Sequence, residues 1–136
     1  MKIELEDFDM KFFNSLADKD KIMYNSKGVY HTIMVDGEKA GIVGYIALVS
    51  EEKGGFVQII LDKKFRGKGI VEKAEDLLVG VYGLEVLYAT IEEENIASLK
   101  SHLKLGFKVV AGERLKYLWE KKLLKKNETR LVKKYV

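Results

Sequence analysis

Two short stretches of this chain carry residue types at spacings suited to chemistry. In the first, Arg66-Gly67-Lys68-Gly69-Ile70-Val71, glycines alternate with cations. It follows the apolar run Phe56 to Leu61 and leads into a segment patterned as a helix. A glycine-rich turn at a helix start leaves backbone N–H groups unpaired and clears side-chain bulk from in front of them. The positive end of the helix dipole adds attraction for an anion, so the geometry suits a phosphate. Taken alone, a tight turn explains the same glycines equally well. In the second stretch, Asn95, Ser98 and His102 fall at i, i+3 and i+7, on one face of a helix two turns deep. An imidazole, with an ordinary pKa of about 6.5, exchanges protons near neutrality. An amphipathic helix with a capping Asn is the plainer alternative.

The elements that must position these residues follow from hydrophobic period and turn chemistry. Met1–Glu6 alternates like a strand, and Asp9–Ala17 has the makings of a short helix around Met10, Phe13 and Leu16. Val29–Val35 and Lys39–Val49 read as a hairpin about Asp36-Gly37, with a second turn at Glu51-Glu52-Lys53-Gly54-Gly55 before the strand Phe56–Leu61. Ile70, Val71, Ala74, Leu77 and Leu78 recur at helical spacing, and Gly80 and Gly83 bracket the exit. Leu84–Ile91 is a buried strand. A helix runs from the cap Asn95 to Leu105, stops at Gly106, and turns Ile96, Leu99 and Leu103 to the core. Phe107–Ala111 and Leu115–Leu124 read as two closing strands. The right-handed crossover rule makes Phe56–Leu61 parallel to Leu84–Ile91 in an otherwise antiparallel sheet. Both candidate stretches then open at the carboxyl ends of those two strands, where ligands of α/β proteins gather.

Composition narrows the class. The 136 residues, 47% apolar and 33% charged, suit a single domain spanning 1–136. With no cysteine there is no disulfide, thiolate ligand or cysteine nucleophile, and two isolated histidines, His31 and His102, suggest no metal site. No run approaches the ~18 apolar residues of a membrane helix. Met1–Asp7 has no signal-peptide core, so the expectation is a soluble cytoplasmic protein without a membrane partner. Residues 1–60 hold 10 acidic and 7 basic side chains, residues 61–136 hold 11 and 17. The basic tail 121–136, read as a solvated face or an extra strand, argues only weakly for nucleic acid.

The residues now carry a resemblance. Arg66-Gly67-Lys68-Gly69-Ile70 resembles the acyl-CoA pyrophosphate loop of the GNAT N-acetyltransferases, whose pattern is Gln/Arg-x-x-Gly-x-Gly/Ala. Asn95-Ile96-Ala97-Ser98 through Leu105-Gly106-Phe107 resembles the family's second motif, in which Asn opens a helix and Gly-Phe closes it. The resemblance covers about Phe56 to Val110. It implies the GNAT fold: an α/β (α+β) mixed, mostly antiparallel sheet whose central parallel pair splays to hold CoA, flanked by helices. Val71 departs from the pattern, standing where the family has Gly or Ala, and Lys63 replaces a common proline. His102 stands where many members carry a tyrosine that protonates the departing thiolate.

What the resemblance implies is direct transfer of an acetyl group from acetyl-CoA, as co-substrate and without a metal, to a primary amine on a small molecule or peptide. Main-chain groups of Ile59, Ile60 and Leu61 would hold pantetheine, an N–H near Ile59 would polarise the thioester carbonyl, and Arg66 to Val71 would cradle the pyrophosphate. Asn95 and Ser98 would bind the pantetheine arm, and His102 would be the general acid. For a base the chain offers only Glu92, Glu93 and Glu94, or a water oriented by Gln58; Gly54-Gly55 stands where some members place a carboxylate. The alternative function is a CoA-binding module without catalysis that acts through its basic tail. A homodimer is left open.

Overall fold

The hairpin turn shows how locally this sequence dictates its backbone. In the computed structural model, which describes residues 1–22, 24–48 and 53–135, Asp36 and Gly37 both adopt positive φ, 50° and 82°. That pair of left-handed residues matches the right-handed twist of the strands it joins, β2 (Val29–Val35) and β3 (Glu38–Ala47). Asp36 also ties the chain start: its N–H donates to Lys2 O, and its Oδ1 accepts from Lys2 N at 2.7 Å. The expected strand end at Val49 and the turn at Glu51-Glu52 lie outside the described residues. Gly54 and Gly55 do not turn; they open a strand, and a Cβ at Gly55 would meet the Tyr45 ring at 2.6 Å.

The chain forms two compact units, Met1–Leu84 and Glu85–Val136. In the first, β1 (Ile3–Asp7), β2, β3 and β4 (Gly54–Leu61) pair antiparallel in that order. Strand alternation sends Tyr30, Ile42 and Ile60 to one face. There they pack on Phe13 and Leu16 of α1 (Met10–Ser15) and its exit and on Ile22, just past a 3-10 turn. The other face carries His31 and Tyr45, whose rings meet Tyr82 at the end of α2 (Ile70–Tyr82). The periodicity of α2 is realised: Ile70, Ala74 and Leu78, four residues apart, are buried. Each large aliphatic side chain so buried is worth about 1.5–3 kcal/mol. Gly83, at φ 62°, ends the helix.

In the second unit, β5 (Val86–Glu92) pairs antiparallel with β7 (Glu128–Lys134), and β7 pairs with the short β6 (Lys108–Val109). The tail thus contributes a strand, with Leu131 fully buried. Helix α3 (Ile96–Lys104) lies between β5 and β6 in sequence. Its orientation corrects the sequence reading. Ile96 and Leu103 are exposed, and the buried member of the helix is His102. A second correction concerns Leu115–Leu124, which is not a strand: Gly112–Glu120 is a helix, α4. Its core, Glu-Arg-Leu-Lys-Tyr-Leu-Trp-Glu, has no β-branched residue and consists mostly of good helix formers, with Leu115 and Leu118 one turn apart on the half-buried side.

Candidate functional site

Backbone direction on β4 follows from one hydrogen bond. Asp62 N–H donates to Ala40 O at 2.8 Å, and the ladder pairs Leu61 with Gly41, Ile60 with Ile42 and Ile59 with Val43. In an antiparallel pair, alternate residues turn both main-chain groups to the partner strand and those between turn them away. Asp62 faces β3, so Ile60 does as well. Ile59 and Leu61 therefore present N–H and C=O at the other edge of β4. Two of the three β4 residues singled out in the sequence have main-chain groups turned away from β3, while Ile60 spends its own on β3 and buries its side chain.

From this edge a 3-10 turn, Lys63–Phe65, leads into the glycine loop, with Phe65 buried as its anchor and Asp62 accepting from Lys64 N–H. Gly67 and Gly69 sit at φ 74° and 75°. A Cβ at either would find no atom within 4 Å, so the left-handed backbone and not crowding is what calls for glycine. Gly69 is the N-cap of α2, and no side chain caps that end. The first N–H groups of α2 are thus presented beside two backbone positions without side chains. A pyrophosphate fits this cradle on chemistry as well as on space, because Lys68 is exposed at its rim. Val71 lies in the first helical turn, half-buried.

Arg66 is placed differently from the sequence expectation of a simple phosphate cation. Its Nε and Nη2 lie 3.3 and 3.2 Å from Leu61 O, one of the outward carbonyls of β4, and Nη2 also donates to Asp18. The guanidinium holds the Asp18 carboxyl below the usual carboxylate range, chiefly through that hydrogen bond, against a smaller opposing effect of burial. Arg66 therefore ties the glycine loop to the end of β4 and to the segment after α1. Nothing in the sequence marks Asp18 as the partner of Arg66, 48 residues away.

In the second unit, Asn95 caps α3: its Oδ1 accepts from Ser98 N–H at 3.3 Å. His102, one turn past Ser98, has its Nδ1 2.9 Å from the Ser98 carbonyl. Its ring meets Phe107 edge-on, 5.0 Å between centroids. Phe107, of the Gly-Phe that closes the motif, is itself buried. Glu92, Glu93 and Glu94 are all exposed. Gln58, on β4, accepts from the Tyr30 hydroxyl at 3.4 Å, and that hydroxyl accepts from Asn25 N–H at 3.0 Å. Burial raises the Tyr30 phenol above its ordinary value. A cavity of about 460 Å³ on the first unit, lined by Glu6, Asp7, Asp9, Thr32, Met34 and Lys39, contains none of the cofactor-binding or catalytic candidates named from the sequence.

The family profile described as acetyltransferase (GNAT) domain matches residues 4–108. The chain belongs to the GNAT acetyltransferases. Among curated GNAT relatives, spermidine N(1)-acetyltransferase of Escherichia coli K12 is 31% identical over 103 residues, 71% of this chain and 55% of the relative. The chain thus matches about half the length of that relative. Among solved structures, a spermidine N-acetyltransferase SpeG chimera built in part from the Vibrio cholerae enzyme matches at a TM-score of 0.71 and 16% identity. That match covers 98% of this chain and 96% of the chimera. The Campylobacter jejuni N-acetyltransferase PseH, solved with acetyl coenzyme A, matches at 0.68 and 12% identity, over 99% and 100%. The fold is the GNAT fold anticipated from the two motifs, mixed α/β and mostly antiparallel. Among the described residues no helix is long and apolar enough to cross a membrane.

Proposed function

We propose that this chain transfers the acetyl group of acetyl-CoA directly to a primary amine, as a cytoplasmic enzyme with a polyamine as the first acceptor to try. The observation that carries the reading is the loop at the head of α2. Two left-handed glycines, an end without a side-chain cap and an exposed lysine stand a few residues after Ile59 and Leu61, whose main-chain groups turn away from β3. A CoA molecule needs these two things in this order along the chain: strand-like hydrogen bonds for the amide-bearing pantetheine, then N–H donors for the pyrophosphate. The Ile59 N–H polarises the thioester carbonyl, and Asn95 offers its amide N–H to the pantetheine arm while its oxygen caps α3. Positioning of amine against thioester supplies much of the rate.

The polyamine comes from the relative named for spermidine and agrees with a first unit that is acidic overall. Of 14 acidic and 12 basic side chains in residues 1–84, six acidic ones lie in the first 20 residues. The reading is tested by following acetyl-CoA-dependent thiol release across a panel of amines that includes spermidine, a peptide N-terminus and an amino sugar. Thiol release with at least one of them is expected. Absence of release with all, together with no rise in melting temperature at millimolar acetyl-CoA, would overturn it, since a ligand specific for the folded state must stabilise that state.

A further inference from the structure

Three strands of the first unit set one row of residues side by side. Tyr30 of β2 stands opposite Gly44 of β3, and Gly44 stands opposite Gln58 of β4. Side chains in such a row share a face of the sheet, here the face that packs on α1 with Ile42 and Ile60. Gly44 leaves the middle place without a side chain, and the Tyr30 ring lies across it. A Cβ on Gly44 would come within 2.5 Å of Tyr30 Cδ1, and one on Gly28 within 2.7 Å of Tyr30 Cε2. Held between two glycines, the ring carries its hydroxyl to the second strand over. That oxygen accepts from Asn25 N–H at 3.0 Å, and the hydroxyl donates to Gln58 Oε1 at 3.4 Å. Burial raises the Tyr30 phenol above its ordinary value, so it keeps its proton and stays a donor. Gln58 is half-buried. Among the described residues only Tyr30 bonds its side chain, which leaves one of the two lone pairs of Oε1 unspent.

We propose that Gln58 receives the acceptor amine and that Tyr30 is the positioning residue that aims it. The proposal rests on the acetyl-transfer reading above, which sets the thioester carbonyl at Ile59 N–H. Gln58 is the neighbouring residue, and its side chain leaves β4 on the face opposite to that of Ile59. The Ile59 face is the one whose His31 and Tyr45 meet the end of α2. The helix occupies that side, so the amine arrives on the side of Gln58. There the second lone pair of Oε1 accepts one amine N–H and turns the nitrogen lone pair toward the thioester carbon. A neutral oxygen suits this task, because a carboxylate in its place would favour the ammonium form, which has no lone pair to attack with. As the C–N bond forms and the nitrogen turns positive, the N–H···O bond becomes charge-assisted and strengthens. The Tyr30 bond, long at 3.4 Å, shortens with it. An amide oxygen is too weak a base to keep a proton. The proton that nitrogen sheds goes to water, and the sulfur, leaving with the C–S electron pair, takes one from water. The products are an amide and a thiol.

Steady-state kinetics of the full chain test this, with the best amine of the panel, in wild type, Tyr30→Phe, Gln58→Met and the double variant. Tyr30→Phe keeps the ring between its two glycines, and Gln58→Met keeps the length of the side chain. Each single change should lower kcat/KM for the amine roughly twofold to tenfold, the worth of one neutral hydrogen bond. The KM for acetyl-CoA should hold. The double variant should lose no more than Gln58→Met alone, because Tyr30 acts through Gln58; losses that multiply would overturn the positioning role. Gln58→Glu gives a readout that a mere packing partner would not move. The limb of kcat against pH owed to the bound amine should shift upward by about one unit under the added charge. A limb that stays in place would set Gln58 away from the amine and overturn the proposal. A wild-type protein that releases thiol with no amine would sink the acetyl-transfer reading itself, and this inference with it. A working enzyme whose amine kinetics ignore Gln58→Met would sink this inference alone.

Discussion

Helices α2 and α3 begin in opposite ways. At the head of α2, Gly69 stands at φ 75° and no side chain reaches the first N–H groups. At the head of α3, Asn95 folds its side chain back onto Ser98 N–H. Both ends carry the same orphan donors and the same positive dipole. One helix satisfies a donor from within and the other leaves its donors presented. The difference supports the proposal of anion binding at α2, and in that proposal Asn95 has divided duties, its oxygen on the cap and its amide N–H on a ligand.

The most severe way to break this comparison is to give the α2 head a side chain. Gly69→Val forces a β-branched residue into the left-handed region, at a cost of about 1–2 kcal/mol, with no clash because the space is open. The fold should survive and the turn should relax, swinging at least one N–H away from the phosphate. Losing one charge-assisted hydrogen bond, about 1.5–3 kcal/mol, weakens acetyl-CoA binding roughly tenfold to a hundredfold. Calorimetric titration checks this. Unchanged affinity with an intact fold would make the two helix starts equivalent and remove α2 as the anion site.

Next in size is the cap of α3. Asn95→Ala should cost about 1 kcal/mol of stability, visible in the melting temperature. Asn95→Ser restores the cap and with it the stability. If the Asn95 amide also serves the ligand, the KM for acetyl-CoA stays raised by roughly twofold to tenfold in the serine variant, the worth of one neutral hydrogen bond. Recovery of both quantities would leave Asn95 a cap and nothing more.

Both helix starts were legible in the sequence because caps and glycine turns are local: the residues that set them lie within a few positions. The Asp36-Gly37 hairpin and the four-residue stripe of α2 were legible for the same reason. Faces were harder. On α3 the apolar Ile96 and Leu103 suggested the inner side, yet the helix turns His102 inward, because a ring that bonds its own helix carbonyl and packs on Phe107 has satisfied its polar atom before burial. Leu115–Leu124 reads as a strand on Tyr117 and Trp119, although the lack of β-branching across Gly112–Glu120 points to the helix that forms there. Long-range pairs were illegible: nothing near Arg66 announces Asp18.

That pair supplies a smaller prediction on the α2 side. Arg66 depresses the Asp18 ionisation in the folded state. The contribution is therefore present above the unfolded carboxylate range, near pH 3.9, and is lost as pH falls through the folded value. Melting temperature against pH should fall more steeply in acid for wild type than for Asp18→Asn. At neutral pH the variant also frees Arg66 from its carboxylate, so the affinity for acetyl-CoA should rise slightly or hold. A marked fall would mean that Asp18 places Arg66 for the ligand.

The smallest effect tests whether glycine matters along α2 or only at its head. Gly80 lies in the helix interior, exposed, with nothing within 4 Å of an added Cβ and without a positive φ. No geometric reason for glycine applies there, so Gly80→Ala removes only the excess freedom of the unfolded chain. It should stabilise by about 0.4–1 kcal/mol, a rise of roughly 2–5 °C. Acetyl-CoA affinity should not change. If it weakened, α2 would have to bend or shift at Gly80 when ligand binds, and the difference between the two helix heads would no longer account for where the anion sits.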